Sequence, residues 1–226
     1  MNDRQDVRPD QKAVADKKAA RAHARQLLSN ISAAQREEQS QKAAASFLNS
    51  SIYKDSECVA AYFSMPDEAG TLPIIARAFM DKKRVLLPRV AAGSNAMDFY
   101  ELAAPVLGLQ AIASNPAPVL GLQESLAAQT EANDWGIREP LATLPLVAKK
   151  QMPARTAILV PGLAFAKDGR RLGRGKGFYD RYLSELRAAN PAFAAQGKLC
   201  GYCLEAQITD AVPTQENDVL MQVVFC

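Results

Sequence analysis

The densest group of residues that could do chemistry is the stretch GRRLGRGKGFYDRYL at residues 169–183. Within it three glycines alternate with Arg174 and Lys176, two aromatic residues follow, and Asp180 comes directly after them. Glycines let backbone N–H groups converge on an anion, a following helix offers the positive end of its dipole, and the two cations add full charges. The stretch therefore predicts a phosphate site, although a surface turn with solvated charges stays open on composition alone.

Two common nucleotide-binding motifs do not fit this stretch. A Walker A loop would need a glycine where Arg170 stands and a serine or threonine where Gly177 stands. A dinucleotide-binding loop would need its third glycine at the position of Phe178. The local pattern thus indicates a phosphate without specifying the compound that carries it.

Asp180 has two interpretations that the residues alone leave open. A carboxylate in the first turn of a helix complements the helix dipole. Beside a phosphate, the same carboxylate suits a bound Mg²⁺ ion, which takes one or two carboxylates together with phosphate oxygens.

The elements around the glycine-rich stretch must position it. The run TAILVPGLAF, at 156–165, is strongly hydrophobic and predicts a central strand that is covered on both faces. A helix is predicted to follow from about 176 to 189, with Tyr179, Leu183 and Leu186 on its buried face. Ligands of parallel sheets lie beyond the carboxyl ends of the strands, where this loop would stand.

The rest of the chain alternates helices with strands, which predicts a mostly parallel sheet. We expect one three-layer α/β/α domain over 1–226, with a Rossmann-like sheet flanked by helices and a flexible tail at 1–9. Ser32 and Gln35 form a capping-box signal, and Thr71 with Pro73 marks another helix start. Helices are predicted at 10–28, 32–48 and 71–82, and strands at 58–65, 84–90, 96–102, 198–204 and 221–225.

One segment repeats itself letter for letter. APVLGLQ occurs at 104–110 and again at 117–123. Two copies are too few for a solenoid, which needs at least three stacked units. We therefore expect a tandem duplication inside a surface-loop insertion at 103–130, since loops tolerate insertions, and we assign it no function.

Composition excludes several classes of protein. Hydrophobic residues make up 48% and charged residues 23% of the chain, which is typical of a globular protein and not of a disordered one. A net charge of +3 is mild for a protein that grips nucleic acid, so no nucleic-acid partner is expected. No apolar run approaches a membrane span, and the charged N-terminus with four scattered cysteines favours the cytosol.

Three further features have weak functional interpretations. Cys200 and Cys203 form a C-x-x-C, but they lie in a strand pattern instead of opening a helix, as a thioredoxin-type site would. The single histidine, His23, lies on a basic helix and is expected to be exposed. Trp135 on its own is more typical of a core anchor than of a ligand platform.

The segment PGLAFAKDGRRLGRGKGFYDRYL at 161–183 resembles the signature of the 5-formyltetrahydrofolate cyclo-ligases, also called methenyltetrahydrofolate synthetases. Further segments resemble parts of the same family in the right order, so the resemblance covers about 17–224. They are DKKAARAHARQLL, FSMPDEAGT, KKRVLLPRV, MDFYEL, DWGIREP and VPTQENDVLMQVV.

This resemblance implies an ATP- and Mg²⁺-dependent cyclisation of 5-formyltetrahydrofolate to 5,10-methenyltetrahydrofolate, with these small molecules as partners. We expect the protein to be a monomer. The resemblance implies that Arg174, Lys176 and Tyr179 are catalytic and that Asp180 and Asp218 bind Mg²⁺. It also implies folate contacts from Met65, Glu68, Gly70, Trp135 and Tyr179. The ATP site would comprise Lys17, Arg21, Arg171, Leu172, Gly173, Arg174, Gly175, Lys176, Gly177, Phe178 and Tyr179.

The chain departs from the family pattern at two positions on the folate side. Gly70 stands where the family usually has an acidic residue, for which Glu68 is the nearest substitute, and Gln222 replaces a common aspartate. These departures leave open a catalytically weakened relative that binds ATP or folate as a regulator. A nucleic-acid-binding module that uses the basic loop and the first helix is a third alternative, against which the mild net charge stands.

Overall fold

A seven-stranded sheet organises the computed structural model, which describes residues 11–91, 93–94, 96–104, 118–133 and 136–226, with the side chains of 11–14 and 118–121 left out. Among these residues the strand order is β11-β10-β7-β1-β2-β3-β6. The strands are β1 (Cys58–Ala60), β2 (Arg84–Val90), β3 (Met97–Glu101), β6 (Leu146–Val147), β7 (Thr156–Val160), β10 (Lys198–Tyr202) and β11 (Val223–Phe225).

The pairing within this sheet is mostly parallel, as the sequence predicts. β1 lies between β2 and β7 and pairs with both in parallel, and β10 does the same between β7 and β11. Only the β2–β3 and β3–β6 pairs are antiparallel within the described sheet. All five residues of β7 are buried, which confirms its central position.

Helices cover both faces of the sheet and make the expected three layers. They are α1 (Gln11–Ser29), α2 (Ala33–Asn49), α3 (Ser51–Asp55), α4 (Leu72–Met80), α5 (Pro118–Gln129), α6 (Phe178–Ala189) and α7 (Pro191–Gln196). Val59 and Leu159 point into a core with side chains of α1, α2, α4 and α5. Ile158 and Val160 point to the other face, where α6 and α7 pack. No helix in the described part of the chain has the length and apolarity needed to cross a membrane.

Local signals account for several helix boundaries. Ser32 caps α2 through a capping box in which its hydroxyl accepts from Gln35 N (3.2 Å) and the Gln35 side chain accepts from Ser32 N (3.0 Å). Thr71 stands at the N-cap of α4, but its hydroxyl donates to the Tyr62 carbonyl at 2.6 Å instead of capping the helix. The buried face of α6 is Tyr182, Leu183 and Leu186, whereas Tyr179 is only partly buried.

Two predicted strands are shorter than expected. The run at 58–65 leaves the sheet after Ala60, and the run at 156–165 breaks after Val160 at Pro161, which has no N–H to donate to a ladder. Beyond this break, β8 (Ala164–Phe165) pairs with β9 (Arg171–Leu172) in a separate hairpin. A second hairpin joins β4 (Thr130–Ala132) to β5 (Arg138–Pro140).

The expectation of a loop throughout 103–130 is wrong at its C-terminal half. The second APVLGLQ copy enters α5, which begins at Pro118 with proline in the favoured first helical position. Leu122 and Leu126 are fully buried in the core beside α4, and this burial stabilises a helix that the duplicated letters did not reveal. The first copy, apart from Ala104, lies outside the described residues.

Candidate active site

A cavity of about 510 Å³ lies beyond the carboxyl ends of β1, β2 and β7. Tyr62 and Phe63 follow β1 on its wall, Pro88 and Val90 end β2, and Pro161 follows β7. This is the position where parallel α/β sheets bind ligands. The glycine-rich stretch forms one side of the cavity, as its place after β7 predicts.

The backbone conformation of the glycine loop requires its glycines and is fixed by hydrogen bonds from arginines of two helices. Gly175 and Gly177 have φ angles of 107° and 68°, a backbone region that side-chain-bearing residues rarely adopt. Arg21 of α1 donates to the Gly173 carbonyl at 2.9 Å, and Arg181 of α6 donates to the Lys176 carbonyl at 2.8 Å. α6 begins directly after Gly177, so its N-terminal dipole end lies at the loop.

The first helix reaches this loop from the far end of the chain. Lys17 of α1 donates to both Asp218 oxygens, at 2.8 and 2.6 Å, and to the Gln215 side chain at 3.0 Å. The Lys17 side chain is 9% exposed and the Asp218 side chain 19%. The predicted phosphate ligand Lys17 and the predicted metal ligand Asp218 are therefore direct partners on the cavity wall.

Asp180 makes a second pair of the same kind. Arg171 Nη2 donates to both Asp180 oxygens at 2.8 Å, and Arg171 Nη1 donates to the Pro161 carbonyl at 3.1 Å. The Val219 N–H also donates to Asp180 Oδ1, at 3.2 Å. Asp180 thus connects β9, α6 and the C-terminal segment while it lies in the first turn of α6, where it also complements the helix dipole.

Arg174 connects the glycine loop to the loop after β1. Its Nη2 donates to Asp67 at 2.7 Å, and its Nε donates to Glu68 Oε1 at 3.2 Å. Glu68 is 6% exposed. Burial raises the pKa of its carboxyl above the ordinary value, against the opposing effects of the Met65 N–H and of Arg174.

Tyr179 lies at the junction between these charged groups and the apolar wall. Its hydroxyl is buried, and no described residue bonds to it. Burial and the neighbouring Glu68 both raise the pKa of Tyr179, so the phenol stays protonated near neutral pH. The Arg171 guanidinium stands 5.9 Å from the centre of its ring.

The other end of the cavity is mainly apolar and contains residues that sequence reasoning missed. Its wall is formed by Tyr62, Phe63, Met65, Pro88, Val90, Met97 and Ile137. Asn133, Arg138 and Glu139, from the β4–β5 hairpin, line this part as well. The only signal for them was the turn-like DWGIREP segment, which marks a loop but does not indicate which side chains enter a cavity.

Two residues at which the chain departs from the family pattern on the folate side do not line the cavity. Gly70 does not line the cavity, because its N–H donates to Ser40 Oγ at 3.0 Å and its carbonyl accepts from Tyr202 at 2.9 Å. Gln222 is also absent from the lining; its side chain accepts from Leu199 N at 2.8 Å, between β10 and β11. Trp135 lies outside the described residues.

The donor set of the cavity fits a magnesium ion that shares phosphate oxygens. Asp180 and Asp218 both line it, and their side chains stay 24% and 19% exposed. In the described part of the chain no cluster of three His, Cys, Asp or Glu residues could hold a metal alone. Two carboxylates whose ion is completed by phosphate and water match the way Mg²⁺ is commonly bound.

The structure supports the structural interpretation of the cysteine pair and the expected exposure of His23. Cys200 and Cys203 are free and buried, and burial raises the pKa of the Cys200 thiol to about 12, which disfavours a reactive thiolate. His23 is exposed on α1.

The fold and this cavity together define an α/β protein with a cationic loop at one end of its ligand site and an apolar wall at the other. The 5-formyltetrahydrofolate cyclo-ligase family matches residues 13–226, and the chain belongs to this family, which is one of ligases. The resemblance found in the sequence and the expectation of a ligase are thereby confirmed.

Named relatives agree with this membership. A probable 5-formyltetrahydrofolate cyclo-ligase of Caenorhabditis elegans is 29% identical over 199 residues, or 88% of this chain and 86% of that one. The 5-formyltetrahydrofolate cyclo-ligase of Mus musculus is 28% identical and covers 92% of each chain. The probable enzyme of Schizosaccharomyces pombe is 33% identical over 69% of this chain and 67% of its own.

Solved structures share the fold. The 5,10-methenyltetrahydrofolate synthetase of Aquifex aeolicus superposes with a TM-score of 0.66 at 23% identity, over 92% of this chain and 88% of that one. The corresponding protein of Mycoplasma pneumoniae gives 0.62 at 19% identity, over 93% and 98%. The predicted α/β class is therefore confirmed.

Proposed function

We propose that this protein catalyses the ATP- and Mg²⁺-dependent cyclisation of 5-formyltetrahydrofolate to 5,10-methenyltetrahydrofolate, with release of ADP and phosphate. One observation carries the proposal. A single cavity brings the cationic glycine loop and the apolar wall together, with Tyr179 at their junction. A site for two ligands that must react with each other needs this arrangement, because proximity removes much of the entropic barrier.

The reaction explains why both halves are needed. The formyl oxygen of the substrate is a poor leaving group, so it first attacks the γ-phosphorus of ATP and ADP departs. The N10 nitrogen then attacks the activated formyl carbon and loses its proton. This attack closes the five-membered ring, and the phosphate then leaves with the electrons of the carbon–oxygen bond to give the methenyl group. Transfer of a phosphoryl group is catalysed mostly by positioning and by neutralising charge.

The cationic side of the cavity has the groups for this task. Lys17, Arg21 and the N–H groups of the loop at 173–177 would hold the phosphates, since these groups converge at the N-terminus of α6. Arg174 and Lys176 would stand nearest the transferring phosphoryl group and offset its negative charge. Arg171 would act less directly, because it is held by Asp180.

Asp180 and Asp218 would hold Mg²⁺ together with phosphate oxygens. The ion would supply positive charge to the phosphate chain. Each carboxylate already holds one cation at close range, which fixes its orientation on the cavity wall.

The folate would occupy the apolar side. Met65 would pack on the bound rings, and Glu68 would offer its carboxylate beside Tyr179. Glu68 also contacts Arg174, so one side chain spans from the folate side to the phosphate side. The two family departures, Gly70 and Gln222, do not line the cavity, which supports an active enzyme over a weakened regulator.

The decisive experiment gives the purified protein 5-formyltetrahydrofolate and Mg-ATP and follows the ultraviolet absorbance of the methenyl product. We expect product that depends on both ATP and Mg²⁺. No product at saturating substrate, with ATP binding retained, would contradict the enzyme and favour the regulator. Salt-sensitive binding to oligonucleotides in competition with ATP would instead favour the nucleic-acid module.

A further inference from the structure

Glu139 is a second buried carboxylate on the cavity wall, with no role in the proposed reaction so far. It lies in β5 and is 7% exposed. Its Oε1 accepts from Asn133 Nδ2 at 3.0 Å and from Val90 N at 3.3 Å. These two contacts fix the carboxylate between the β4–β5 hairpin and the end of β2.

The other oxygen of Glu139 has unused capacity. No described residue donates a hydrogen bond to Oε2, although an ionised carboxylate offers about four acceptor sites. Burial raises the pKa of the carboxyl above its ordinary value. Oε2 is not among the fully enclosed atoms without a partner, so it is open to the cavity that Glu139 lines. A ligand that brings N–H groups to Oε2 can replace the water that it meets in the empty site.

Glu68 does not share this property. Its Oε2 accepts from Met65 N at 3.0 Å, and its Oε1 accepts from Arg174. Each of its oxygens therefore already accepts one hydrogen bond from the protein, and Arg174 holds it on the phosphate side. Glu139 is the carboxylate at the apolar end with an oxygen left for a ligand.

The surroundings restrict the chemistry of that ligand. Phe63, Pro88, Val90 and Met97 line the same part of the cavity and favour a flat apolar ring. The glutamyl tail of a folate brings carboxylates, which have no hydrogen to donate to Oε2, so it does not suit this oxygen. The neighbouring cation Arg138 donates to Thr130 and to the Ala127 carbonyl. A ring edge with two adjacent N–H donors suits it, because such an edge pairs with a carboxylate as an amidine does.

We propose that Glu139 recognises the pyrimidine edge of the pterin ring, by accepting from its 2-amino group and from N3–H, and so decides which end of the folate enters the cavity first. This inference rests on the proposed function, because it takes the folate as the occupant. It assigns Glu139 as a specificity-determining residue that contacts the substrate away from the reacting atoms.

The test is Glu139→Gln, assayed for methenyl product and for folate binding by calorimetry. The amide turns one acceptor into a donor that opposes the 2-amino group. We expect the KM for 5-formyltetrahydrofolate to rise about ten- to a hundredfold, as for a lost hydrogen bond to a charged group. The KM for ATP should stay within about twofold, since the proposed phosphate contacts lie on the cationic side of the cavity.

The matched control is Glu131→Gln in the same hairpin. Glu131 faces Glu139 in the β4–β5 register, but its side chain is 51% exposed and pairs with Arg89. We expect unchanged kinetics for this variant, because a surface ion pair contributes little.

A substrate analogue separates recognition from a structural effect. Replacing the 2-amino group by a methyl group should weaken binding to the wild type by about tenfold or more, but should change binding to Glu139→Gln much less. The inference would be overturned if the analogue lost the same binding affinity in both proteins, or if Glu139→Gln kept the wild-type KM. In either case, formation of the methenyl product would leave the proposed function intact. If Glu139→Gln does not fold, Glu139→Asp replaces it in the same comparison of folate with the analogue, because its shorter side chain withdraws the charge by one methylene.

The two proposals fail in different ways. If the wild type forms no methenyl product but binds folate more tightly than the 2-methyl analogue, the proposed reaction is contradicted and the role of Glu139 stands. A wild type that binds no folate overturns both.

Discussion

Three of the cations that line the cavity are held by carboxylates. Lys17 contacts Asp218, Arg171 contacts Asp180, and Arg174 contacts Asp67 and Glu68. Such pairs fix side chains in place before a ligand enters, which is how a site becomes preorganised for developing charge. Lys176 also lines the cavity and is exposed on the loop. Single substitutions should therefore distinguish residues that fix other side chains in place from residues that neutralise the charge of the phosphoryl group.

Lys176→Ala should lower kcat by at least about a hundredfold, because it removes one full charge beside the transferring phosphoryl group. The unfolding midpoint in urea should not change, since the side chain is exposed. Steady-state kinetics and urea titration measure the two effects. Lys167→Ala removes an exposed lysine outside the cavity lining and serves as the control. Unchanged turnover in Lys176→Ala would remove this lysine from the phosphate site.

Glu68 should make stability depend on pH. Its pKa is raised in the folded state, so the native protein keeps a proton that the unfolded chain has lost above the ordinary value of 4.5. The unfolding free energy of the wild type, relative to that of Glu68→Gln, should therefore fall as pH rises from about 4.5 through the raised pKa. Urea titrations between about pH 4 and pH 8 measure this difference. Parallel profiles would mean that the carboxyl titrates normally in the folded protein.

The residues predicted for the phosphate side lie together on the cavity wall, whereas several residues of the apolar side were not predicted, for a physical reason. The cations, glycines and Asp180 are contiguous in the sequence, so one loop reveals them together. Glu139 acts through its place beside Val90, which comes from a strand about fifty residues earlier. Contacts of that kind depend on tertiary structure, and neither composition nor periodicity reports them.

At the level of elements, the β8–β9 hairpin precedes the glycine loop, and its turn requires a glycine at position 169. Gly169 joins β8 to β9 with a φ of 93°, and a Cβ at this position would lie 2.1 Å from the Met221 carbonyl oxygen. The Met221 N–H in turn donates to the Gly169 carbonyl at 2.8 Å. The turn and the segment before β11 therefore pack backbone to backbone.

Gly169→Ala should destabilise the protein by more than about 2 kcal/mol, because it adds a backbone clash to the cost of a strained φ. Gly93→Ala is the matched control. Gly93 has a φ of 68° with nothing within 4 Å of a built Cβ, so it should cost only about 1 kcal/mol. Urea unfolding measures both, and equal losses would show that the approach to Met221 relaxes freely.

The elements that the sequence predicted well are those with a clear period or a long apolar run. β2 was predicted with its observed bounds, and α2 and α6 lie within a residue or two of the expected ends. The three-residue strands β4 and β5 are too short to show alternation, and α5 begins in a duplicated segment that reads as a loop. Their formation follows from burial against neighbours, as for Leu122 and Leu126.

On the scale of the whole molecule, ligand binding should stabilise the assembled cavity. Saturating ATP should raise the unfolding temperature, and Mg²⁺ should enlarge this rise, because a ligand that binds only the native state stabilises it. Asp218→Asn should reduce the Mg²⁺-dependent part. Asp210→Asn, an exposed aspartate of the same C-terminal segment, is the control. Thermal unfolding with ATP in Mg²⁺ or in chelator measures the effect. An undiminished Mg²⁺ increment in Asp218→Asn would exclude Asp218 as a ligand.

The contact between Lys17 and Asp218 joins residues 201 positions apart. A chain that is still leaving the ribosome has α1 early but lacks Asp218, and also lacks β11 at the edge of the sheet. During synthesis Lys17 therefore stays without its partner until almost every strand has emerged. The part of the cavity wall that this pair forms is therefore completed only when the C-terminal segment has been synthesised.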